Sequence, residues 1–194
     1  MRLKARTTII SAVEGNILSE DKTSVERFRS SLETAENYAE VWQTVKDTVA
    51  FALDKHRGSM MLFLDDLPLQ LGAYHPLGTN NIVLNRALVE IVEASISTKR
   101  VVNALIYNLL LHEYLHALGE ISETRVRRTV VKVAQACFGE KHIATVIAQK
   151  TPWDTACTSP SLAHVKSGLL TLINRKSGFS VPLFQCAWNA LARS

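Results

Sequence analysis

Several features that this 194-residue chain lacks narrow its class before any motif is considered. It has only three cysteines, Cys137, Cys157 and Cys186, and they form no C-x-x-C pair. An odd number of cysteines spaced in this way argues against a disulfide framework. The longest predominantly apolar run is about half as long as a membrane-spanning helix requires. We therefore expect a protein of the reducing cytoplasm that has no membrane partner.

A strong charge of one sign is also missing. The formal net charge is +4 at pH 7, and the basic residues are scattered apart from Arg125, Arg127 and Arg128. Such a distribution does not favour nucleic acid as a partner. The chain starts with basic residues, but Glu14 interrupts the apolar stretch that follows, which argues against a signal peptide.

The composition is that of a globular protein, with 47% hydrophobic and 21% charged residues. The length fits one domain over residues 1–194. Within it we expect a core over residues 1–150 and a C-terminal helical extension over residues 151–194, which three prolines interrupt. The extension is expected to complete the hydrophobic core; the alternative is that it covers a cleft and keeps the protein latent.

Hydrophobic periodicity predicts an α+β order of elements. Apolar residues recur at helical spacing from about Thr23 to His56, which predicts one long helix. The apolar run at 59–64 predicts a buried strand, and residues 69–75 and 81–85 predict a hairpin of short strands around a turn. A short helix is expected over residues 86–94.

Two further helices are predicted in the second half of the core. Ser97 or Thr98 can cap a helix that ends near Leu118, with Gly119 just beyond its end. Ser122 can cap the next helix. One face of that helix is apolar and is expected to be buried. Its residues are Val126, Val130, Val133, Ala134 and Cys137.

The strongest chemical signal is the H-E-x-x-H string formed by His112, Glu113 and His116. On a helix the two imidazoles lie one turn apart on the same side, so they can share one metal ion. Glu113 lies about 100° round the helix axis from His112. It can take a proton from a metal-activated water without being a ligand.

A zinc ion held by two histidines needs at least one more protein ligand. No cysteine precedes the motif, and Ser122 occupies the position of the third histidine in an H-E-x-x-H-x-x-G-x-x-H pattern. The nearby carboxylates are Glu120, Glu123 and Glu140, and a more distant acid also stays open. Glu123 is preferred because it shares the apolar face of its helix, although it could instead interact with the helix dipole or with Arg127.

These residues resemble the gluzincin branch of the zinc metallopeptidases, and the small size is similar to minimal archaeal members of that branch. The resemblance covers roughly residues 23–137 and is specific at the three motif residues. It implies a zincin-like fold: a backing helix, a small mixed sheet, the active-site helix and a glutamate-bearing helix. One departure is the spacing from His116 to Glu123, which is short for a gluzincin and closer to a metzincin layout, so it leaves the third ligand open.

The resemblance implies zinc-assisted hydrolysis of peptide bonds in a peptide or protein substrate. Zinc polarises the scissile carbonyl and lowers the pKa of water, and Glu113 takes the proton of that water and passes it to the leaving amine. In this family the strand before the motif helix pairs with the substrate, a role for residues 71–75 or 81–85. Tyr74 and His75 are candidates for contact with the oxyanion.

Other functions stay open. A zincin-like fold can serve as a non-catalytic zinc-binding interaction module, and bacterial rRNA-processing endoribonucleases are zinc hydrolases with a similar histidine string. Their third histidine is replaced here by Ser122, and peptide deformylase requires an upstream cysteine that is absent. Asn108, one turn before His112, either supports the site or is a packed polar residue. The remaining histidines have no partner at ligand spacing: His56, His142 and His164.

Overall fold

The computed structural model describes residues 22–69, 71–96 and 98–150, in which six helices accompany a three-stranded sheet. The α+β prediction is therefore confirmed. None of the helices in these ranges is long and apolar enough to cross a lipid bilayer. The elements in chain order are α1 (22–34), α2 (Tyr38–Leu53), β1 (Met61–Asp65), β2 (Ala73–Tyr74), β3 (Asn81–Asn85), α3 (Arg86–Ser95), α4 (Lys99–Ala117), α5 (Glu123–Phe138) and α6 (Ile143–Gln149).

The prediction of one helix from Thr23 to His56 is wrong, because the chain breaks between α1 and α2. Asn37 caps α2 by accepting the backbone N–H of Glu40 at 3.1 Å, and the Glu40 carboxylate accepts the backbone N–H of Glu36 at 2.7 Å. This reciprocal arrangement starts a new helix. Both helices bury one apolar face, so the hydrophobic period continues across the break and conceals it.

The sheet has the strand order β1–β3–β2. β1 runs parallel to β3, and β2 runs antiparallel to β3, with Ala73 opposite Leu84 and Tyr74 opposite Val83. The predicted hairpin is therefore confirmed, with a first strand of only two residues. The prediction that residues 59–64 form a buried strand is wrong in its burial: β1 lies at an edge of the described sheet and most of its side chains are exposed.

The core is centred on α4, which contacts α2, α5, α6 and the sheet. A helix that is apolar on nearly all sides belongs in the interior, and Tyr107, Leu110, Leu111 and Tyr114 of α4 are fully buried. The predicted apolar face of α5 is buried as well, from Val126 to Cys137. This packing makes α4 a rigid platform for the motif that it carries.

Candidate metal centre

The two motif histidines face each other near the C-terminal end of α4. Their Nε2 atoms lie 3.2 Å apart, and the His112 side chain is buried whereas that of His116 is partly exposed. The two histidines thus lie one turn apart on α4, as expected from the sequence, and most residues of this helix are buried. The Nε2 atoms of the two rings therefore point towards the same place.

The turn after α4 orients His116. Gly119 has a positive φ of 96°, and its N–H donates to the His116 carbonyl at 2.9 Å, so the chain reverses and the Glu120 carbonyl comes back towards the helix. His116 Nδ1 lies 2.7 Å from that carbonyl oxygen. Because a carbonyl only accepts, Nδ1 carries the proton, and in the neutral ring the lone pair is on Nε2, which faces His112.

Glu123, the first residue of α5, completes a compact triangle. Its Oε2 atom lies 3.4 Å from the Nε2 atoms of both His112 and His116. A tetrahedral zinc with bonds of 2.0–2.1 Å has ligand atoms roughly 3.3 Å apart. The three edges of the triangle, 3.2, 3.4 and 3.4 Å, match one face of such a tetrahedron. In the described part of the chain, these three residues form the group that could hold a metal ion.

The other two candidate carboxylates are directed elsewhere. Glu120 Oε1 accepts the backbone N–H of Ser122 at 3.0 Å and pairs with Arg125 at 3.1 Å, so the residue meets His116 through its main chain instead. Glu140 lies beyond the far end of α5, where it contacts Gln135. The preference for Glu123 over these acids agrees with the geometry, and the metal itself stays a prediction.

The protonation of the three residues suits a cation. Burial raises the pKa of Glu123, but hydrogen bonds with His112, His116 and Arg127 outweigh it and hold the pKa below its ordinary value. Burial lowers the pKa of His112, and the hydrogen bond to Glu123 raises that of His116. The ionised carboxylate therefore supplies negative charge for a cation, and the proton that it favours on His116 has to leave before that ring can bind a metal.

Glu113 occupies a different environment on the same helix. Burial raises its pKa to about 7, and the backbone of His75, the residue after β2, offsets part of that rise. A carboxyl group with a pKa near neutrality can both accept and donate a proton at that pH, which is the requirement for a general base that later acts as an acid.

The two residues predicted to contact an oxyanion, Tyr74 and His75, lie at the end of β2 and just after it. His75 follows β2, and its ring Nδ1 is 2.8 Å from the Asn81 carbonyl, so the ring is held on the hairpin while the main chain reaches Glu113. Tyr74 is half-buried on β2. Their predicted contact with an oxyanion stays a prediction. The backbone contact with Glu113 was missed, since no side-chain pattern signals a main-chain donor.

Asn108 is placed away from the ring nitrogens. Its amide donates to the carbonyls of Ala104 at 2.8 Å and Ala144 at 3.1 Å, and thereby links α4 to α6. This agrees with the interpretation as a packed polar residue. Of the other histidines, His56 is exposed, His142 pairs with Glu33, and His164 lies outside the described residues.

Two arginines near the site were not identified as site residues from the sequence. Arg127 donates to Glu123 Oε1 at 3.0 Å. The predicted contact with Arg127 therefore uses a different oxygen from the one that lies near the histidines. Arg57 donates from its guanidinium to the Ala117 carbonyl at the end of α4 and to the Thr79 carbonyl in the β2–β3 turn. Spacing to Glu123 signals the first arginine, and nothing local signals the second.

Comparisons of the chain with protein-family models, with curated proteins and with solved structures find no match. The inference of function therefore depends on the site.

Proposed function

We propose that this protein is a zinc-dependent metallopeptidase with a zincin-like fold. The observation that carries the proposal is the triangle of His112 Nε2, His116 Nε2 and Glu123 Oε2, with edges of 3.2, 3.4 and 3.4 Å. Beside it lies Glu113, a fourth functional group that does not belong to the triangle. Three protein ligands that leave one coordination position open are typical of catalytic rather than structural zinc.

The chain supplies the remaining parts of the chemistry. A bound zinc ion acts as a Lewis acid that polarises a carbonyl group and makes water more acidic. His112, His116 and Glu123 would hold the ion, and Glu113 would accept the proton of the attacking water and return it to the leaving amine. The backbone of His75 lowers the pKa of Glu113, which favours the ionised form that the first of these transfers needs.

The sheet next to α4 favours an extended peptide as substrate. β2 lies at an edge of the described sheet, antiparallel to β3, and the residue that follows it contacts Glu113. An extended segment that adds to such an edge has its backbone fixed by main-chain hydrogen bonds. RNA is a weaker candidate, because Glu120 and Glu123 neutralise Arg125 and Arg127.

We propose a cytoplasmic location as well. Cys137 is a buried free thiol, and burial raises its pKa to about 12, so it stays protonated and unreactive. A buried unpaired thiol of this kind is compatible with a reducing compartment.

The first test is metal content. We expect about one zinc ion per chain in protein purified without chelator, and loss of that zinc when His112 and His116 are both changed to alanine. Elemental analysis of both proteins, with circular dichroism to verify folding, measures this. Undiminished zinc in the folded double variant would contradict the proposed site.

The second test asks whether Glu113 acts as a general base and not as a metal ligand. Glu113→Gln should retain zinc, while hydrolysis of an unfolded protein such as casein should fall roughly 10²-fold or more, because general-base catalysis contributes that much. Glu120→Gln is the matched control and should retain both properties. Loss of zinc from Glu113→Gln would show that the ligand set is misassigned, and zinc-loaded wild-type protein without hydrolytic activity would favour the interaction module.

A further inference from the structure

Glu123 uses its two carboxylate oxygens for different partners. Oε2 lies 3.4 Å from the Nε2 atoms of His112 and His116, whereas Oε1 accepts a hydrogen bond from Arg127 Nε at 3.0 Å. Arg127 lies one turn further along α5, so both residues project from the same face of one helix. The carboxylate is therefore oriented by its own helix as well as by the histidines.

We propose that Arg127 is a positioning residue that restricts Glu123 to metal binding through one oxygen and so keeps the coordination number of the centre low. This inference rests on the proposed metal site and not on the proposed peptidase activity. Nothing in the H-E-x-x-H motif requires an arginine at this position. The contact between Arg127 and Glu123 lies within α5, outside the motif helix.

The chemistry of the carboxylate explains why such a restraint matters. An unrestrained carboxylate can bind a metal ion with one oxygen or with both, and the second oxygen then takes up space in the coordination sphere. A catalytic zinc site needs three protein ligands and an open position. With Oε1 engaged by a charged donor, only Oε2 faces the histidines, and the open position is preserved.

Arginine suits this task better than a bare positive charge. Its planar guanidinium presents N–H donors in fixed directions. The hydrogen bond therefore fixes the orientation of the carboxylate, and the guanidinium also supplies a positive charge. The Arg127 and Glu123 side chains are 40% and 31% exposed. An exposed i,i+4 ion pair contributes little to folding stability, so its removal should leave the fold intact.

The chain contains a matched control for this experiment. Arg125, two residues earlier on α5, also pairs with a glutamate next to the site, Glu120, at 3.1 Å. The Glu120 carboxylate does not face the histidines, and its carbonyl, which contacts His116, belongs to the main chain. Arg125→Ala therefore removes a similar charge at a similar distance along the helix without freeing a ligand oxygen.

The experiment uses the full chain and compares wild type, Arg127→Ala, Arg127→Lys and Arg125→Ala. Zinc affinity is measured by competition with a chromophoric chelator, and coordination is measured from the visible absorption of the Co²⁺-loaded proteins. We expect Arg127→Ala to bind zinc about 10- to 100-fold more weakly, the range found when groups that orient ligands are lost. Its Co²⁺ bands should weaken, as they do when coordination rises above four. Arg127→Lys should recover part of the affinity, and Arg125→Ala should match wild type.

Two results would overturn the inference. One is an Arg127→Ala protein with unchanged zinc affinity and an unchanged Co²⁺ spectrum. The other is an equal change of affinity in Arg127→Ala and Arg125→Ala, which would show that the pairing of Arg127 with Glu123 has no specific role. A wild-type protein that binds neither zinc nor Co²⁺ would instead reject the metal site itself. Thermal unfolding of all four metal-free proteins verifies that the substitutions leave the fold intact.

Discussion

At the scale of single residues, Glu113 combines two opposing requirements. Its proposed role as a general base requires an ionised carboxylate, yet this carboxyl is buried, and burial raises its pKa to about 7. Its ordinary pKa in an unfolded chain is about 4.3. Between these two values the folded protein binds a proton at Glu113 more readily than the unfolded chain does, so this residue's contribution to stability is full below about pH 4.3 and is lost as the pH rises through 7.

Glu113→Gln should therefore stabilise the metal-free protein at pH 8 relative to wild type, by about 1–3 kcal/mol, with a smaller difference at pH 5. Urea unfolding in the presence of chelator at both pH values measures this. The exposed Glu26 of α1 provides a control, and Glu26→Gln should show no such pH-dependent gain. An equal effect of Glu113→Gln at both pH values would contradict the assigned burial cost.

Glu120 and Glu123, the two acids near the turn after α4, differ in whether the carboxylate lies near the histidines. Glu123→Ala removes the carboxylate that lies 3.4 Å from both histidines and should weaken zinc affinity at least about 10-fold. Glu120→Ala should have little effect, because the atom that contacts His116 is the main-chain carbonyl, which alanine retains. Zinc titration of both variants decides between them, and the reverse ranking would place Glu120 at the metal.

At the scale of elements, the position of α4 relative to the hairpin depends on Arg57. Its guanidinium joins the Ala117 carbonyl at the end of α4 to Thr79 and Asn80 in the β2–β3 turn. The backbone N–H of Arg57 donates to the Tyr114 hydroxyl. The helix carries Glu113, and the hairpin carries the His75 main chain that lowers the pKa of Glu113. The Arg57 side chain thus connects the two elements that lie next to Glu113.

Arg57→Ala should lower the free energy of unfolding by roughly 1–3 kcal/mol, because hydrogen bonds from a charged donor to two carbonyls are lost. It should also increase hydrogen exchange at the His75 amide, because the hairpin that carries this amide loses a connection to the end of α4. Denaturant unfolding and amide exchange measured by NMR report these two effects. The neighbouring Lys55, which is exposed, serves as a control as Lys55→Ala. Unaltered exchange at His75 in Arg57→Ala would show that the hairpin is held by other contacts.

At the scale of the whole molecule, a buried histidine links the first described helix to the last. His142 caps α6 by accepting the Ala144 N–H at its Nδ1, and its Nε2 lies 3.0 Å from Glu33 of α1, which also pairs with Arg100 of α4. Burial lowers the pKa of His142. The neutral ring, with Nδ1 as acceptor and Nε2 as donor, satisfies both contacts.

This histidine makes global stability depend on pH. Because its folded pKa lies below the unfolded value of about 6.5, the unfolded chain binds the proton first as the pH falls. Its stabilisation is therefore complete above about pH 6.5 and declines below it. Wild type should lose more unfolding free energy between pH 7 and pH 5 than His142→Gln, whereas His56→Gln, at an exposed position, should behave as wild type. Parallel slopes for wild type and His142→Gln would contradict this.

The sequence by itself determined the features that depend on local geometry. The one-turn spacing of His112 and His116, the end of their helix at Gly119, and the buried face of α5 all follow from the helical period and from turn chemistry, which act within a few residues. Because these signals act only over a few residues, they also explain why two predictions were wrong. The break between α1 and α2 is concealed because both helices bury one face, and the exposure of β1 depends on what lies beside it in the sheet.

Only the tertiary structure decided how the site is assembled. Glu123 was one acid among several until the reversal at Gly119 directed its oxygen, rather than that of Glu120, at the histidines. The contact between Glu113 and the His75 main chain joins residues 38 positions apart, and Arg57 contacts Ala117, which is 60 positions away. No local pattern encodes such contacts, because their energies depend on how separate elements pack, and packing is a property of the whole folded chain.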